Sequence, residues 1–143
     1  MNSRWGDPEA QVILPLLRTD MLALMDAAID GTLDQVSVEE SPQSAVIVML
    51  ASRGYPGDYQ KGFPIRGLER AAEREGVLIF HSGTAYDGST LVTNGGRVLG
   101  VTAVADDILT AIERAYAAVS DIQFEGMHYR RDIGHRALAR LRS

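Results

Sequence analysis

The feature that most constrains the fold is a long apolar run at residues 98–104, preceded by Asn-Gly-Gly at 94–96 and a short apolar pair at 91–92. Asn-Gly or Gly-Gly between β-branched runs is a strong hairpin signal, because type I′ turns need positive φ at both central residues. The pattern therefore predicts a β-hairpin with Arg97 at its tip. The run at 98–104 is nearly continuous in apolar residues, which predicts a central strand buried on both faces.

The tip of this predicted hairpin is also a candidate binding site. It places several backbone N–H groups beside the Arg97 guanidinium, and this combination can hold an anion. The alternative is a turn that only reverses the chain and leaves Arg97 solvated.

The remaining patterns predict strands alternating with amphipathic helices. Asp7 and Pro8 are typical of the N-cap and first position of a helix, which should break at Pro15. A second helix should begin at 19–20, bury Met21, Leu22, Met25, Ala28 and Ile29, and end at Gly31. Further predictions are a weak edge strand at 33–40, strands at 45–51, 77–81, 84–86 and 122–124, and helices at 68–75, 108–119 and 133–141. The segments from 77 to 104 should form an antiparallel meander, with a second turn at Asp87-Gly88.

Composition excludes several classes of protein. The chain has 143 residues, which suits one compact unit, and it has no cysteine, so disulfides and thiolate metal sites are excluded. There is no signal peptide and no long apolar run, which favours a cytoplasmic protein. A net charge of −5 disfavours binding to nucleic acid or to anionic membranes.

A self-contained active site is hard to assemble from this sequence. The three histidines, His81, His128 and His135, lack metal-ligand spacing, and neither a Walker A sequence nor a Rossmann fingerprint is present. Instead, glycine-rich or basic loops occur at the ends of elements, at 53–62, 94–97 and 126–134. These loops predict one rim that meets something outside this chain.

Five motifs carry a family resemblance. They are NSRWGDPEAQ at 2–11, GYPGDY followed by KG at 54–62, HSGTA at 81–85, LVTNGGRVLGVT at 91–102 and FEGMHYRRDIG at 124–134. In this order and spacing they resemble the C-terminal end of the phosphoribosylamine-glycine ligase (glycinamide ribonucleotide synthetase) family, ATP-grasp enzymes of purine biosynthesis. The resemblance covers essentially the whole chain.

The resemblance implies a fold class and a domain division. The expected fold is α+β, with a mostly antiparallel sheet curled as a partial barrel and flanking helices. Residues 1–36 should be the helical tail end of the ATP-grasp domain, and residues 37–143 should be the C-terminal domain.

The resemblance also implies a reaction. ATP phosphorylates the carboxylate of glycine, and the amine of 5-phosphoribosylamine attacks the glycyl phosphate to give glycinamide ribonucleotide, ADP and phosphate. Mg²⁺ or Mn²⁺ bridges the nucleotide phosphates. In the family's E-x-N-x-R segment, Asn2 matches the metal ligand and Arg4 matches the catalytic arginine. The glutamate would precede Met1, and the nucleotide-binding N-terminal portion is absent, so the chain alone is expected to be inactive.

Substrate-binding residues are predicted on two sides of this site. Asp7 and Glu9 should shape the loop beside Arg4 near glycine, although Asp7 could be an N-cap and nothing else. The ribose phosphate side should be held by Lys61, Asn94, Gly95, Gly96 and Arg97. Arg130 and Arg131 could instead pair with the acid-rich helices. The alternative function is a phosphometabolite-binding or subunit-docking module without catalysis.

Overall fold

The computed structural model describes residues 5–141. Its helices are α1 (Ala10–Ile13), α2 (Met21–Asp30), α3 (Leu68–Ala72), α4 (Ile108–Asp121) and α5 (His135–Leu141), with 3₁₀ turns at Leu14–Leu16 and Leu33–Gln35. Its strands are β1 (Ser44–Ala51), β2 (Val77–His81), β3 (Thr84–Asp87), β4 (Thr90–Thr93) and β5 (Arg97–Ala105). The fold is mixed α+β with antiparallel sheets, as the sequence predicted.

The strand β5 is the centre of the larger sheet. It pairs with β1 on one edge and β2 on the other, both antiparallel, in the order β1-β5-β2. Residues that share a face form rows across the sheet, such as Val48, Val101 and Ile79. The prediction of a buried central strand is confirmed, because both edges of β5 are hydrogen-bonded and most of its residues are buried.

The helix α4 covers the core face of this sheet. Its alanines at 111, 115 and 118 are fully buried, and these small side chains let the helix approach β1 and β5 closely. Asp107 caps the helix, accepting hydrogen bonds from the Thr110 hydroxyl at 2.7 Å and from its backbone N–H at 2.9 Å. These bonds stabilise the carboxylate and lower the pKa of Asp107.

The hairpin predicted across residues 94–96 is wrong. β4 pairs with β3 in a separate two-stranded sheet, and β5 pairs with β1 and β2, so residues 94–96 connect two sheets. The other edge of β4 is occupied by residues 62–65, through bonds such as Gly62 N–H to Thr93 O at 2.7 Å. The predicted meander is therefore wrong as well, because β2 and β3 do not pair.

The second predicted turn forms, with a different geometry. β3 and β4 are joined through Gly88 and Ser89, and Asp87 pairs with Thr90. Gly88 has a φ of 58°, whereas no residue other than glycine has positive φ among those described. Positive φ at the first central position alone is typical of a type II′ turn rather than type I′.

The N-terminal helix begins later than predicted. α1 starts at Ala10 with Glu9 at the N-cap, so Asp7 and Pro8 do not start it. The Asp7 carboxylate is instead bound by a distant arginine, described below. The break at Pro15 is confirmed, because α1 ends at Ile13 and a 3₁₀ turn follows.

The predicted core face of α2 is also wrong. Leu22, Met25 and Ile29 are 69%, 44% and 83% exposed, and Ala27 is the one buried residue of the helix. Its ends are as predicted, with Asp20 accepting from Leu22 N–H and Gly31 in the left-handed region. The helix packs mainly on the 3₁₀ turn Leu33–Gln35 rather than on the sheet, and the predicted edge strand at 33–40 is reduced to one bridge.

A buried carboxylate joins α3 to the end of α4. Asp121 is 5% exposed and is bound by Arg74 Nε at 2.5 Å and by Arg70 Nε at 3.1 Å. The hydrogen bond from Arg74 and the two positive charges lower the pKa of Asp121. Arg70 of α3 and Arg74, which follows α3, thus link this helix to α4.

We expect Asp121→Asn to lower the melting temperature at neutral pH by several degrees, because Arg70 and Arg74 would lose their shared anion. The native pKa of Asp121 lies below its unfolded value of about 3.9, so the pair stabilises the fold above that pH and loses this contribution as the pH falls through the native pKa. The difference between wild type and variant in thermal unfolding should therefore shrink in acid. Asp26→Asn, on the exposed side of α2, is the control. Equal melting temperatures for both variants would contradict the assignment.

Candidate functional site

The connection at residues 94–96 is shaped by close packing of backbone. Ser52, which is buried, donates from its hydroxyl to Gly95 O and from its N–H to Gly96 O, both at 2.8 Å. Asn94 N–H donates to Gly83 O at 2.7 Å. A Cβ on Gly95 would lie 2.8 Å from Gly83 Cα, so these two glycines are required by contact rather than by positive φ.

Two tyrosines cover the end of this connection. A Cβ on Gly96 would lie 2.2 Å from the Tyr55 ring and 2.9 Å from the Tyr59 ring. The two rings meet edge to face, with centroids 6.4 Å apart. The loop that follows β1 is therefore packed against the residue that precedes Arg97.

We expect Gly96→Ala to destabilise the protein by about 1–3 kcal/mol, because the added methyl group displaces both tyrosine rings. Amide hydrogen exchange at residues 53–60 should become faster. In a Tyr55→Ala background the same substitution should cost clearly less, since the nearest obstacle is gone. Strictly additive unfolding free energies in this double-mutant cycle would contradict the proposed contact.

Arg97 and Asp7, predicted on opposite sides of the site, bind each other. Arg97 Nη2 lies 3.0 Å from Asp7 Oδ2, and Nη1 donates to the backbone oxygen of Asp7 at 2.9 Å. The side chains are 34% and 50% exposed, so the pair is at the surface. Gln11 Nε2 adds a bond to Asp7 Oδ1 at 3.3 Å. The N-terminal segment is thus attached to the first residue of β5.

We expect the Arg97–Asp7 pair to contribute only about 0.2–1 kcal/mol to global stability, because it is exposed. Its larger effect should be local: Arg97→Ala should speed amide exchange at residues 6–10. Arg97→Lys should do the same, because a lysine cannot reproduce the forked contact with one carboxylate and one carbonyl. Unchanged exchange in both variants would show that other contacts hold the segment.

The structure brings most of the predicted substrate-binding residues to one neighbourhood. The bond between Gly62 N–H and Thr93 O places Lys61, which is exposed, beside the start of the 94–96 connection. Glu9 lies two residues after Asp7, and its backbone oxygen accepts the first bonds of α1. Asn2 and Arg4 lie outside the described residues. None of these contacts tests a role in binding, so the roles stay predictions.

An open pocket next to the connection was not assigned to particular residues by the sequence. Its volume is about 490 Å³, and its lining comprises Arg53, Gly54, Asp58, Tyr59, Gln60, Phe63, Glu125 and Gly126. The sequence predicts that the loops at 53–62 and 126–134 belong to one rim, but no pattern in it distinguishes Arg53 or Glu125. The pairing of Ala51 with His128 brings these two loops together, and no local pattern indicates that pairing.

The basic pair at 130–131 is used within its own loop. Arg130 binds Asp132 through Nε at 2.9 Å and Nη2 at 2.7 Å, which lowers the pKa of Asp132. Arg131 lies over the ring of Tyr129, 5.5 Å from its centroid. The intramolecular alternative is thus correct for Arg130, although its partner is a loop carboxylate rather than an acidic helix. The carboxylate of Asp132, which precedes the last helix, is engaged by Arg130.

Neither a metal centre nor a membrane span is found in the described part of the chain. Residues 5–141 contain no group of three histidine, aspartate or glutamate side chains placed to share an ion. His81 and His135 make local contacts, His81 Nδ1 with Thr84 Oγ1 at 2.9 Å and His135 Nδ1 with Asp132 O at 2.8 Å. None of the helices between these limits is long and apolar enough to cross a bilayer.

Comparison with known proteins identifies the family. Residues 45–136 match the family model described as "Phosphoribosylglycinamide synthetase, C domain". The chain belongs to this family. The resemblance predicted from the five motifs is confirmed.

The similar proteins are considerably longer than this chain. A Mesorhizobium japonicum phosphoribosylamine–glycine ligase is 50% identical over 99% of the chain and 33% of its own length. A Caldanaerobacter subterraneus ligase of the same name is 47% identical over 92% of the chain and 31% of its own length. The crystal structure of the Thermotoga maritima ligase matches with a TM-score of 0.72 and 38% identity, over 92% of this chain and 32% of that one. The chain therefore spans about a third of these relatives.

Proposed function

We propose that this chain supplies the C-terminal part of a phosphoribosylamine-glycine ligase. In this reaction the γ-phosphoryl group of ATP is transferred to the glycine carboxylate, and the amine of 5-phosphoribosylamine then attacks the acyl phosphate. The C–N bond forms as phosphate leaves, and the products are glycinamide ribonucleotide, ADP and phosphate. Membership of the family supports this assignment, because the matched relatives carry the name of that ligase.

One observation carries the proposal at the level of residues. The Arg97–Asp7 pair joins the N-terminal motif to the 94–96 connection, which the resemblance assigned to the two substrate sides. Arg4 lies three residues before this attachment point. Holding Arg4 near two reacting groups would allow it to neutralise charge on the phosphoryl group and the acyl phosphate. Asp7 and Glu9 would shape the glycine side, and Lys61 and Arg97, the latter through its bonds to Asp7, would shape the ribose phosphate side.

We assign ATP and the divalent ion mainly to the part of the relatives that this chain does not span. Asn2 would add one ligand from this chain. When bound, Mg²⁺ or Mn²⁺ would neutralise charge on the nucleotide phosphates. Such a reaction belongs in the cytoplasm.

The finer structural expectations belong to the same proposal. We infer that the two sheets are parts of one partial barrel, which is supported by the bridge from Pro64 to Val92 of β4 and by the bridge from Arg66 to Gln123, after α4. For the proposed division near residue 36, with residues 1–36 belonging to the ATP-grasp domain, the support is limited to α2, which lies away from the sheets, because α1 contacts β1 and β5.

A chimera tests the proposal. The part of the Mesorhizobium japonicum ligase outside the matched region, joined to this chain in native order, should form glycinamide ribonucleotide with one ADP and one phosphate per turnover. The chain alone should form none. Arg4→Ala in the chimera should lower kcat by about 10²–10³-fold if Arg4 stabilises the transferring group. Turnover by the isolated chain, or an inactive but folded chimera, would contradict the proposal.

A docking module without catalysis is the second candidate. The exposed apolar residues of α2, Leu22, Met25 and Ile29, favour it, because such a face is normally covered. In that case the chain would bind a separate ATP-grasp protein through this face. Substitutions at Asp7 or Arg97 would then leave the formation of glycinamide ribonucleotide by the chimera unchanged.

A further inference from the structure

We infer that the open pocket beside the 94–96 connection binds the phosphoribosyl group of the amine substrate. In this assignment, which rests on the proposed function, Arg53 binds the phosphate, and Asp58 and Glu125 accept hydrogen bonds from the ribose hydroxyls. The phosphate is thus placed on Arg53, in the loop that also carries Lys61, rather than on Arg97. The pocket volume, about 490 Å³, lies within the range of small-ligand sites.

Close contacts within the chain hold both walls of this pocket. Gly54 has a φ of +94°, and a Cβ there would lie 2.0 Å from Asp58 O, so the loop folds tightly on itself. Gly57 N–H donates to Gly54 O at 2.7 Å. On the opposite wall, a Cβ on Gly126 would lie 2.8 Å from Arg53 Cβ. A preformed pocket avoids the cost of ordering two loops upon binding.

The two walls are also attached to the central sheet. Ala51 N–H donates to His128 O at 2.9 Å, and His128 N–H donates to Ala51 O at 3.0 Å. Ser52 is fixed to Gly95 and Gly96 as described above. Arg53 follows directly, so its backbone position is set by the end of β1.

The guanidinium of Arg53 is available for a ligand. Arg53 is exposed, and no hydrogen bond or ion pair within residues 5–141 engages its side chain. Arg97 and Arg130, by contrast, are held by Asp7 and Asp132. A free guanidinium offers the planar fork that matches two phosphate oxygens.

The remaining lining residues select for a sugar phosphate. Asp58 and Glu125 repel a purely anionic ligand, whereas carboxylates are typical partners of ribose hydroxyls. A neutral sugar would leave Arg53 unpaired. A sugar phosphate satisfies both kinds of group, and the ring of Phe63 adds an apolar surface.

The pocket shares a wall with the connection that leads to Arg97. Tyr59 lines the pocket, and its ring also covers Gly96. A ligand in the pocket is therefore one side chain away from the residue before Arg97. This proximity suits a substrate whose phosphate and reacting amine lie at opposite ends of a ribose.

Calorimetric titration of this chain with ribose 5-phosphate, in a buffer without phosphate, tests the site. Saturable binding should weaken about tenfold or more in Arg53→Gln, because a charge-assisted bond is lost. The matched control is Arg18→Gln, which removes an equal charge from an exposed position and should leave the affinity unchanged. No saturable binding, or equal weakening in both variants, would overturn the assignment.

A second variant distinguishes recognition of the sugar from recognition of the phosphate. Glu125→Gln should weaken ribose 5-phosphate severalfold, yet leave inorganic phosphate unchanged or bound more tightly, because a repelling charge is removed. Ribose alone should bind much more weakly than ribose 5-phosphate. Equal effects of Glu125→Gln on ribose 5-phosphate and inorganic phosphate would show that Glu125 does not contact the sugar, and the assignment would fail.

The same variants in the active chimera separate this inference from the proposed function. Arg53→Gln should raise KM for 5-phosphoribosylamine about tenfold and leave KM for ATP and glycine unchanged. If the chimera is active but its KM values do not change in Arg53→Gln, the assignment of the pocket is refuted and the proposed ligase function stands. Arg53-dependent binding of ribose 5-phosphate with an inactive chimera would refute the ligase and keep the pocket.

Discussion

The double burial of β5 is the constraint on which the rest of the structure depends. A strand covered on both faces must have every backbone N–H and C=O paired, and here β1 and β2 supply the partners on either edge. The strand can then neither shift its register nor tilt without exposing fully buried side chains such as Val101. Arg97 is the first residue of β5, so the pairing of the sheet fixes its backbone position. The same sheet fixes the end of β1, from which the pocket loop departs.

The candidate site is therefore built at one end of a rigid layer. Ser52 directly follows β1, and Arg97 is the first residue of β5. A hydrogen bond from Ser52 N–H to Gly96 O joins the two segments. The rings of Tyr55 and Tyr59 cover Gly96 at this junction. A loop in such a place can carry binding residues without having to become ordered first.

Much of the layout could be predicted from the sequence, and the errors have identifiable physical causes. Continuous apolar runs predicted β1, β2 and β5, because a strand buried on both faces has little choice of residue type. The pattern at 94–96 predicted a hairpin, since glycine is equally suited to a tight turn and to close backbone contact. Only the positions of Gly83 and the tyrosines distinguish these two uses, and they lie far away along the chain.

The site shows the same limit. Asp7 was predicted to start a helix, and no local rule indicates a partner as distant as Arg97. The amphipathic pattern of α2 predicted a core face, which is wrong because Leu22, Met25 and Ile29 are exposed. Arg53 was not predicted, because no local pattern marks an arginine whose side chain has no partner among residues 5–141 of the folded chain. Which arginine side chains form hydrogen bonds or ion pairs depends on the folded structure and cannot be read from composition.

The contact between Gly83 and Gly95 has a consequence for variation in sequence. Each glycine occupies the volume that the other's side chain would need, so neither position can acquire even a methyl group independently. Surface arginines can be exchanged one at a time, whereas this pair can change only if two sheet ends separate together. When distant members are aligned, these small residues are therefore better landmarks than the charged loops around them.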